Sequence, residues 1–474
     1  RIRPAEDVRS RWKWTEASVW TDRMLTTLEH GVKGGKWFSL MDKVYSEENL
    51  YWSWVQVAQN EGAAGTDHVT IDDFATRLAQ HLKRLTETLH TGKYHPRDVK
   101  RVWIPKPGSK EQRPLGVPTV RDRVVQTALR NVIEPIFERD FAEHSYGFRP
   151  GRGCKDALRR VDELLRSGHR YVVDADLKSY FDTIPHDRLM ARIKDKISDG
   201  RVLKLIEMFL QQQVLDGLDR WTPEAGSPQG AVISPLLSNI YLDPLDHLMA
   251  ESGFEMVRYA DDFVILCRTA EQAEAALALV RAWTVENGPT LHPEKTRIVD
   301  VDGEAFDFLG YSFRREHRWP RKKSLQKLKE TIRQKTKRTN GHSLQVIIAD
   351  VNRTLRGWFE YFKHAHQWTF ARIDCWLRMR LRSILRKRAG RQGRGRGLDH
   401  HRWTNCLHCR AGAVQSESRP CPGLSILAEV TPPTGEPCAG NPPARFGGRG
   451  DRNQSVFPTP IITQGSRRIP ARPQ

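Results

Sequence analysis

Two groups of acids in this chain are spaced for chemistry. The first is Tyr259-Ala260-Asp261-Asp262, flanked by Phe254, Met256 and Val257 before and by Phe263-Val264-Ile265-Leu266 after. Apolar runs on both sides of a short polar step read as two strands joined by a tight turn that carries adjacent carboxylates. Such neighbours resist joint ionisation, and a divalent cation held between them and a third carboxylate offsets that cost. The third comes from Tyr171-Val172-Val173-Asp174-Ala175-Asp176, an apolar β-type run that ends in acids and leads to Tyr180-Phe181. Asp176 at this strand end can meet Asp261 and Asp262 across a sheet. Three carboxylates at one point suit in-line phosphoryl transfer with two Mg²⁺ ions roughly 3.5–4 Å apart, one activating the attacking hydroxyl and one steadying the leaving group.

The elements that must position these acids occupy most of the chain. Arg101-Val102-Trp103-Ile104-Pro105-Lys106-Pro107-Gly108 and Arg113-Pro114-Leu115-Gly116-Val117-Pro118 read as a hairpin. Lys106 and Arg113 flank its turn, where two cations suit a triphosphate. Residues 121–141 carry helical periodicity, and Ser145-Tyr146-Gly147-Phe148-Arg149-Pro150-Gly151-Arg152-Gly153 follows. This stretch is not a P-loop, because Gly-Lys-Ser/Thr is missing; it reads as a basic Gly-rich turn. Gly226-Ser227-Pro228-Gln229-Gly230 precedes a helix for which Ser234 is the expected N-cap and Pro235 the first residue. Ala270–Trp283 is a further helix, then come Leu291-His292-Pro293-Glu294-Lys295-Thr296 and Phe306–Phe313. Near the N-terminus, Ile71 opens an amphipathic helix with Leu78, Leu82 and Leu85 on one face.

In their order and spacing these motifs, from about Trp37 to His364, resemble the reverse transcriptase/maturase proteins encoded by bacterial group II introns. The resemblance implies an α+β right-hand polymerase: fingers, a palm with an antiparallel sheet, and a helical thumb/maturase domain, followed by a disordered tail. It divides the chain into an N-terminal extension that grips template RNA (1–90), fingers and palm (91–315), a basic thumb/maturase domain (316–395), and a linker and tail (396–474). Asp176, Asp261 and Asp262 become the catalytic residues, and with Leu177 they hold the two Mg²⁺ ions. Lys106 and Arg113 bind the nucleotide triphosphate, Phe181 excludes a ribose 2′-hydroxyl, Gln229 lies near the sugar, and Lys295 protonates pyrophosphate. Arg149 and Arg152 touch template backbone, and residues 306–313 grip the primer end.

Net charge is +20 with pI near 9.8, which points to a polyanionic partner. Residues 321–400 alone hold 22 Lys+Arg against 5 Asp+Glu. There Leu325, Leu328, Ile332, Ile347, Ile348, Val351 and Leu355 form an apolar stripe, while Arg353, Arg356, Arg378, Arg380, Arg382 and Arg386 line the rest. Basic faces interleaved with Trp358, Tyr361 and Trp376 suit RNA, and Leu355–Phe362 resembles the maturase signature. The expected partners are the intron RNA, template RNA, a DNA primer or target, and dNTPs.

No run is long and apolar enough to span a membrane and no secretory signal pattern is present. Seven scattered cysteines suit a reducing bacterial cytoplasm, with the protein in a ribonucleoprotein. The chain begins at Arg1, so its true start is open. Cys406 and Cys409 suggest zinc, but Cys421 and Cys438 are too widely spaced to complete the site. Residues 417–474 are rich in Pro, Gly, Ser and Arg, as in disordered chain. Codons for Glu436–Cys438 can pair with those for Ala444–Phe446, so the tail can also be read as translated intron RNA. Two other functions fit the pattern: a non-catalytic RNA-binding splicing cofactor, or a domesticated reverse transcriptase in repair or phage defence.

Overall fold

The computed structural model describes residues 5–32, 34–105, 112–315 and 317–393. Lys106, the cysteines from Cys406 onward and the tail expected from 396 therefore lie outside the described residues. Eleven strands form among the described residues. They are β1 (Val99–Pro105), β2 (Gln112–Val117), β3 (Tyr171–Asp176), β4 (Val214–Asp216), β5 (Asp219–Trp221) and β6 (Glu255–Tyr259). The remainder are β7 (Asp262–Cys267), β8 (Arg297–Asp300), β9 (Phe306–Phe308), β10 (Tyr311–Arg314) and β11 (His317–Pro320).

The central sheet runs β6-β7-β3-β8 with every pair antiparallel. Apolar residues on successive positions of β3, β6 and β7 face both sides of the sheet, because both faces are covered. Val173, Ala175, Phe263, Ile265 and Cys267 point into one core, packed by the helices Ser234–Glu251 and Ala270–Asn287. Val172, Val257, Val264 and Leu266 point into a second core with Phe306, Phe308 and the C-terminal helices. Covering both faces leaves only the strand ends open to polar chemistry.

The fingers hairpin forms as expected, with Ile104 opposite Arg113, in a sheet ordered β2-β1-β4-β5. It leads into the helix Val120–Glu138, buried along most of its length. The N-terminal helices dock there through polar contacts: Trp20 Nε1 donates to the Asn131 carbonyl at 3.0 Å and Asn49 Nδ2 to the Ala128 carbonyl at 3.1 Å. The amphipathic helix expected from Ile71 is broken in two, Ile71–Thr76 and Leu78–His90, because Arg77 leaves helical geometry at φ −127°, ψ 34°. Beyond the sheet β11-β10-β9 the helices Lys322–Lys335, Leu344–Phe362 and Trp368–Arg388 pack along the predicted stripe, which buries Leu328, Ile332, Ile347, Ile348, Val351 and Leu355.

Ser234 is the first residue of its helix and not the N-cap. Its hydroxyl donates to the Pro228 carbonyl at 2.9 Å and meets the Ser227 hydroxyl at 2.6 Å. It therefore braces the preceding loop instead of capping the helix.

Candidate active site

Tyr259 pairs with Asp262, so Ala260 and Asp261 alone connect β6 to β7. Ala260 adopts φ +60°, a left-handed conformation that a residue with a Cβ resists and that persists only where the surroundings impose it. Gly147, from the Gly-rich turn, supplies part of that constraint. A Cβ there would collide with the Ala260 nitrogen and lie 2.8 Å from the Tyr259 carbonyl carbon. The Gly-rich turn is thus a bed for the acidic turn, a contact that sequence spacing alone does not reveal.

Across the sheet, Asp176 stands directly opposite Asp262. Residues opposite one another on antiparallel strands share a face, so two carboxylates flank one point and Asp261 follows in the turn. A fourth acid, Asp174, precedes Asp176 by two residues and lies on the same face. The two-residue spacing was the signal for it. Burial pushes the Asp262 carboxyl up to about 7, reinforced by the charges of Asp261, Asp174 and Asp176. Burial raises Asp261 as well, with the charge of Asp176 adding to it and Arg258 and Lys295 opposing. Asp174 is pushed up to about 6, again chiefly by burial.

Lys295 answers this negative charge. Its Nζ lies 2.6 Å from Asp176 Oδ2, and the loop bearing it is pinned to the strand end where the His292 amide donates to the Asp176 carbonyl at 2.7 Å. Leu177 bridges to Leu291 and is buried; its hydrocarbon side chain carries no ligand atom, which leaves its backbone carbonyl as the one oxygen it could offer a cation. Among the described residues no three His, Cys, Asp or Glu side chains converge as a ready-made ligand set. The donors nevertheless suit a hard divalent cation: oxygen only, mutually repelling and half-buried at the strand ends.

Phe181 sits beyond Asp176 with its ring partly buried against the first core and 5.7 Å from that of Tyr180. Its carbonyl accepts from the Ser227 amide at 2.7 Å. Gly226, at φ +90°, packs so closely that a Cβ would lie 2.7 Å from that carbonyl oxygen. The loop also reaches the fingers, where the Gly116 amide donates to the Gln229 carbonyl at 2.7 Å. Phe181, Gln229 and the fingers strand carrying Arg113 are therefore held in one frame.

The arginines assigned to RNA divide. Arg353 and Arg356 are exposed on the helix Leu344–Phe362, Arg353 with 83 % of its side chain open. Arg152 is half-buried over the Tyr146 ring, 5.9 Å from its centroid, and donates to the Glu143 carbonyl. Arg149 is corrected. It is 6 % exposed and donates to Glu138 Oε1 at 2.8 Å and to the Ser145 carbonyl at 2.8 Å, so its charge is consumed in holding the Gly-rich turn. Arg382 is likewise 5 % exposed. Arg378 pairs with buried Asp374, and Arg380 Nε donates to Thr336 Oγ1 at 2.6 Å. Arg380 thus ties its helix to the end of Lys322–Lys335, Arg378 pairs within its own helix, and Arg382 is buried, so these charges are largely taken up inside the domain.

Comparison with known proteins agrees with this architecture. Residues 104–313 match the family model "Reverse transcriptase (RNA-dependent DNA polymerase)" and residues 325–403 match "Group II intron, maturase-specific domain". The chain is 37 % identical to Protein YkfC of Escherichia coli over 329 residues, which is 60 % of this chain and 84 % of YkfC. It is also 37 % identical over 215 residues to the group II intron-encoded protein LtrA of Lactococcus lactis, covering 45 % of this chain but only 36 % of LtrA. The chain belongs to the family of bacterial group II intron-encoded reverse transcriptases and maturases.

Proposed function

We propose that this chain synthesises DNA on an RNA template and binds its own structured group II intron RNA, assisting splicing and retrohoming. The observation that carries the polymerase reading is Asp176 facing Asp262 across β3 and β7 with Asp261 in the adjoining turn. In this reading those three carboxylates, with the Leu177 carbonyl, hold two Mg²⁺ ions. When bound, the ions would supply activation of the primer 3′-hydroxyl and charge neutralisation at the departing pyrophosphate.

The chain's own residues supply position. Lys295, beside Asp176, is the group placed to deliver a proton to the departing pyrophosphate. Arg113 and Lys106 grip the triphosphate from the fingers hairpin. Phe181 bounds the sugar site, its backbone fixed by the Gly226–Ser227 loop, and Gln229 closes that site toward the fingers. Exposed Arg353 and Arg356 offer phosphate contacts on the maturase helix. Residues 1–90 then form the template-gripping extension, 91–315 fingers and palm, 316–395 the thumb/maturase domain and 396–474 the linker and tail. No helix among the described residues is long and apolar enough to cross a membrane. A ribonucleoprotein in the bacterial cytoplasm fits the basic thumb.

Primer extension on an RNA template tests the reading. Mg²⁺-dependent DNA product is expected. Intact intron-RNA binding without any product would instead make the chain a non-catalytic splicing cofactor.

A further inference from the structure

Arg258, in β6, is 1 % exposed, a full charge buried directly beneath the turn that carries Asp261 and Asp262. A buried guanidinium is costly unless its donors are answered. Nε donates to Asp246 Oδ1 at 2.7 Å and Oδ2 at 3.0 Å, and Nη2 also donates to Asp246. Nη1 does something different. It forks between Asn239 Oδ1 at 2.9 Å and the carbonyl of Ala260 at 2.9 Å.

Asn239 and Asp246 are themselves 1 % and 6 % exposed. They stand seven residues apart on the helix Ser234–Glu251, two turns, and so face the sheet together. Asn239 Nδ2 extends the network by donating to the Gly147 carbonyl at 2.8 Å. Gly147 is the residue whose Cα presses on Ala260. The backbone of Arg258 joins in, its amide donating to the His144 carbonyl at 3.0 Å while its carbonyl accepts from the Tyr146 amide at 2.9 Å.

Asp246 alone would compensate the charge, and an apolar pair of equal volume would serve stability about as well. The donor that leaves the ion pair goes to the one residue in the turn with left-handed backbone. The geometry points to Arg258, with Asn239, as a positioning residue of the polymerase. By fixing the Ala260 carbonyl and the Gly147 bed, it sets the peptide from which the Asp261 and Asp262 carboxylates project. This rests on the reading of those carboxylates as the Mg²⁺-holding set. Lysine cannot replace it, because a compact ammonium lacks the planar fork needed to meet Asp246, Asn239 and Ala260 at once.

The test is single-turnover primer extension by Arg258→Lys and Asn239→Ser on preformed primer–template complexes, titrated with Mg²⁺. Thermal midpoint and RNA affinity are measured on the same preparations. The expected result is a rise of about 10–100-fold in the Mg²⁺ concentration for half-maximal rate, the usual effect of removing a residue that orients metal ligands, with RNA affinity unchanged. A merely structural role would lower the thermal midpoint and the active fraction but leave the Mg²⁺ midpoint of the surviving enzyme at the wild-type value, and that outcome overturns the inference. Asn239→Ser keeps the buried ion pair, so it decides the matter if Arg258→Lys does not fold. Asp261→Asn, run alongside, separates the two levels. Wild-type extension by that variant would overturn the carboxylate assignment itself. An inactive Asp261→Asn beside wild-type Mg²⁺ midpoints in the other two would overturn only the positioning role.

Discussion

Lys295 Nζ and Asp176 Oδ2 lie 2.6 Å apart, yet the two side chains keep 60 % and 36 % of their exposure. A pair this open to water contributes little stability, about 0–1 kcal/mol, so its place at the acidic cluster is better explained by chemistry than by folding. Lys295→Met should leave the thermal midpoint nearly unchanged and slow single-turnover extension by about 10²-fold, the lower range for removal of a general acid. A wild-type extension rate would reduce Lys295 to a surface cation.

Phe181→Ala should admit ribonucleotides if, as proposed, its partly buried ring bounds the space a 2′-hydroxyl would fill. Competition between dNTP and rNTP during extension reads this directly. Since the backbone there is held by Ser227 and Gly226, truncation should leave the strand end in place. Unchanged sugar discrimination would make Phe181 a packing residue only.

Two sets of arginines should behave oppositely. Arg353→Gln with Arg356→Gln should weaken RNA binding and reduce the slope of log affinity against log salt by roughly 0.7–0.9 for each phosphate no longer neutralised. Arg378→Gln, Arg380→Gln and Arg382→Gln should instead lower the melting temperature, because the partners of the first two, Asp374 and Thr336, are buried and Arg382 is buried itself. A flattened salt slope in this second set, without loss of stability, would contradict the internal placement.

The acidic motifs were legible because apolar runs on both sides fixed them at strand ends, and those runs became β3, β6 and β7. The arginines were not. Arg149 looks solvent-facing in a Gly-rich turn until folding brings Glu138, eleven residues earlier, alongside it. Arg378 and Arg382, four apart, share a face of their helix, whereas Arg380 stands on another, so sequence alone did not show that the shared face turns inward. Ser234 resembled a cap, but its hydroxyl had a nearer partner in the loop before it. The Arg258 network was invisible for a related reason: its value lies in Asn239, Asp246 and Gly147, which only the tertiary fold assembles.

Glu134 supplies a pH test independent of catalysis. Burial pushes its carboxyl from 4.5 up to about 7, with Arg130 drawing it down and Glu138 pushing it further up. The folded state thus holds a proton that the unfolded chain releases, so stability falls as pH rises from about 4.5 to about 7 and stays lowered above that. Glu134→Gln should abolish the loss, stabilising the protein at pH 8 by on the order of 1–3 kcal/mol and hardly at all at pH 4. The side chain keeps 16 % exposure, which favours the lower part of that range. Equal effects at both pH values would contradict it.

In the proposed function Asp176, Asp261 and Asp262 form one cation-dependent polymerase centre, separate from the surface that binds intron RNA. Its most direct test is single-turnover extension by Asp176→Asn and Asp261→Asn on an RNA template, with intron-RNA affinity measured on the same preparations. Extension should fall to background in both variants while RNA affinity stays at the wild-type value. Extension at the wild-type rate by either variant would contradict the account.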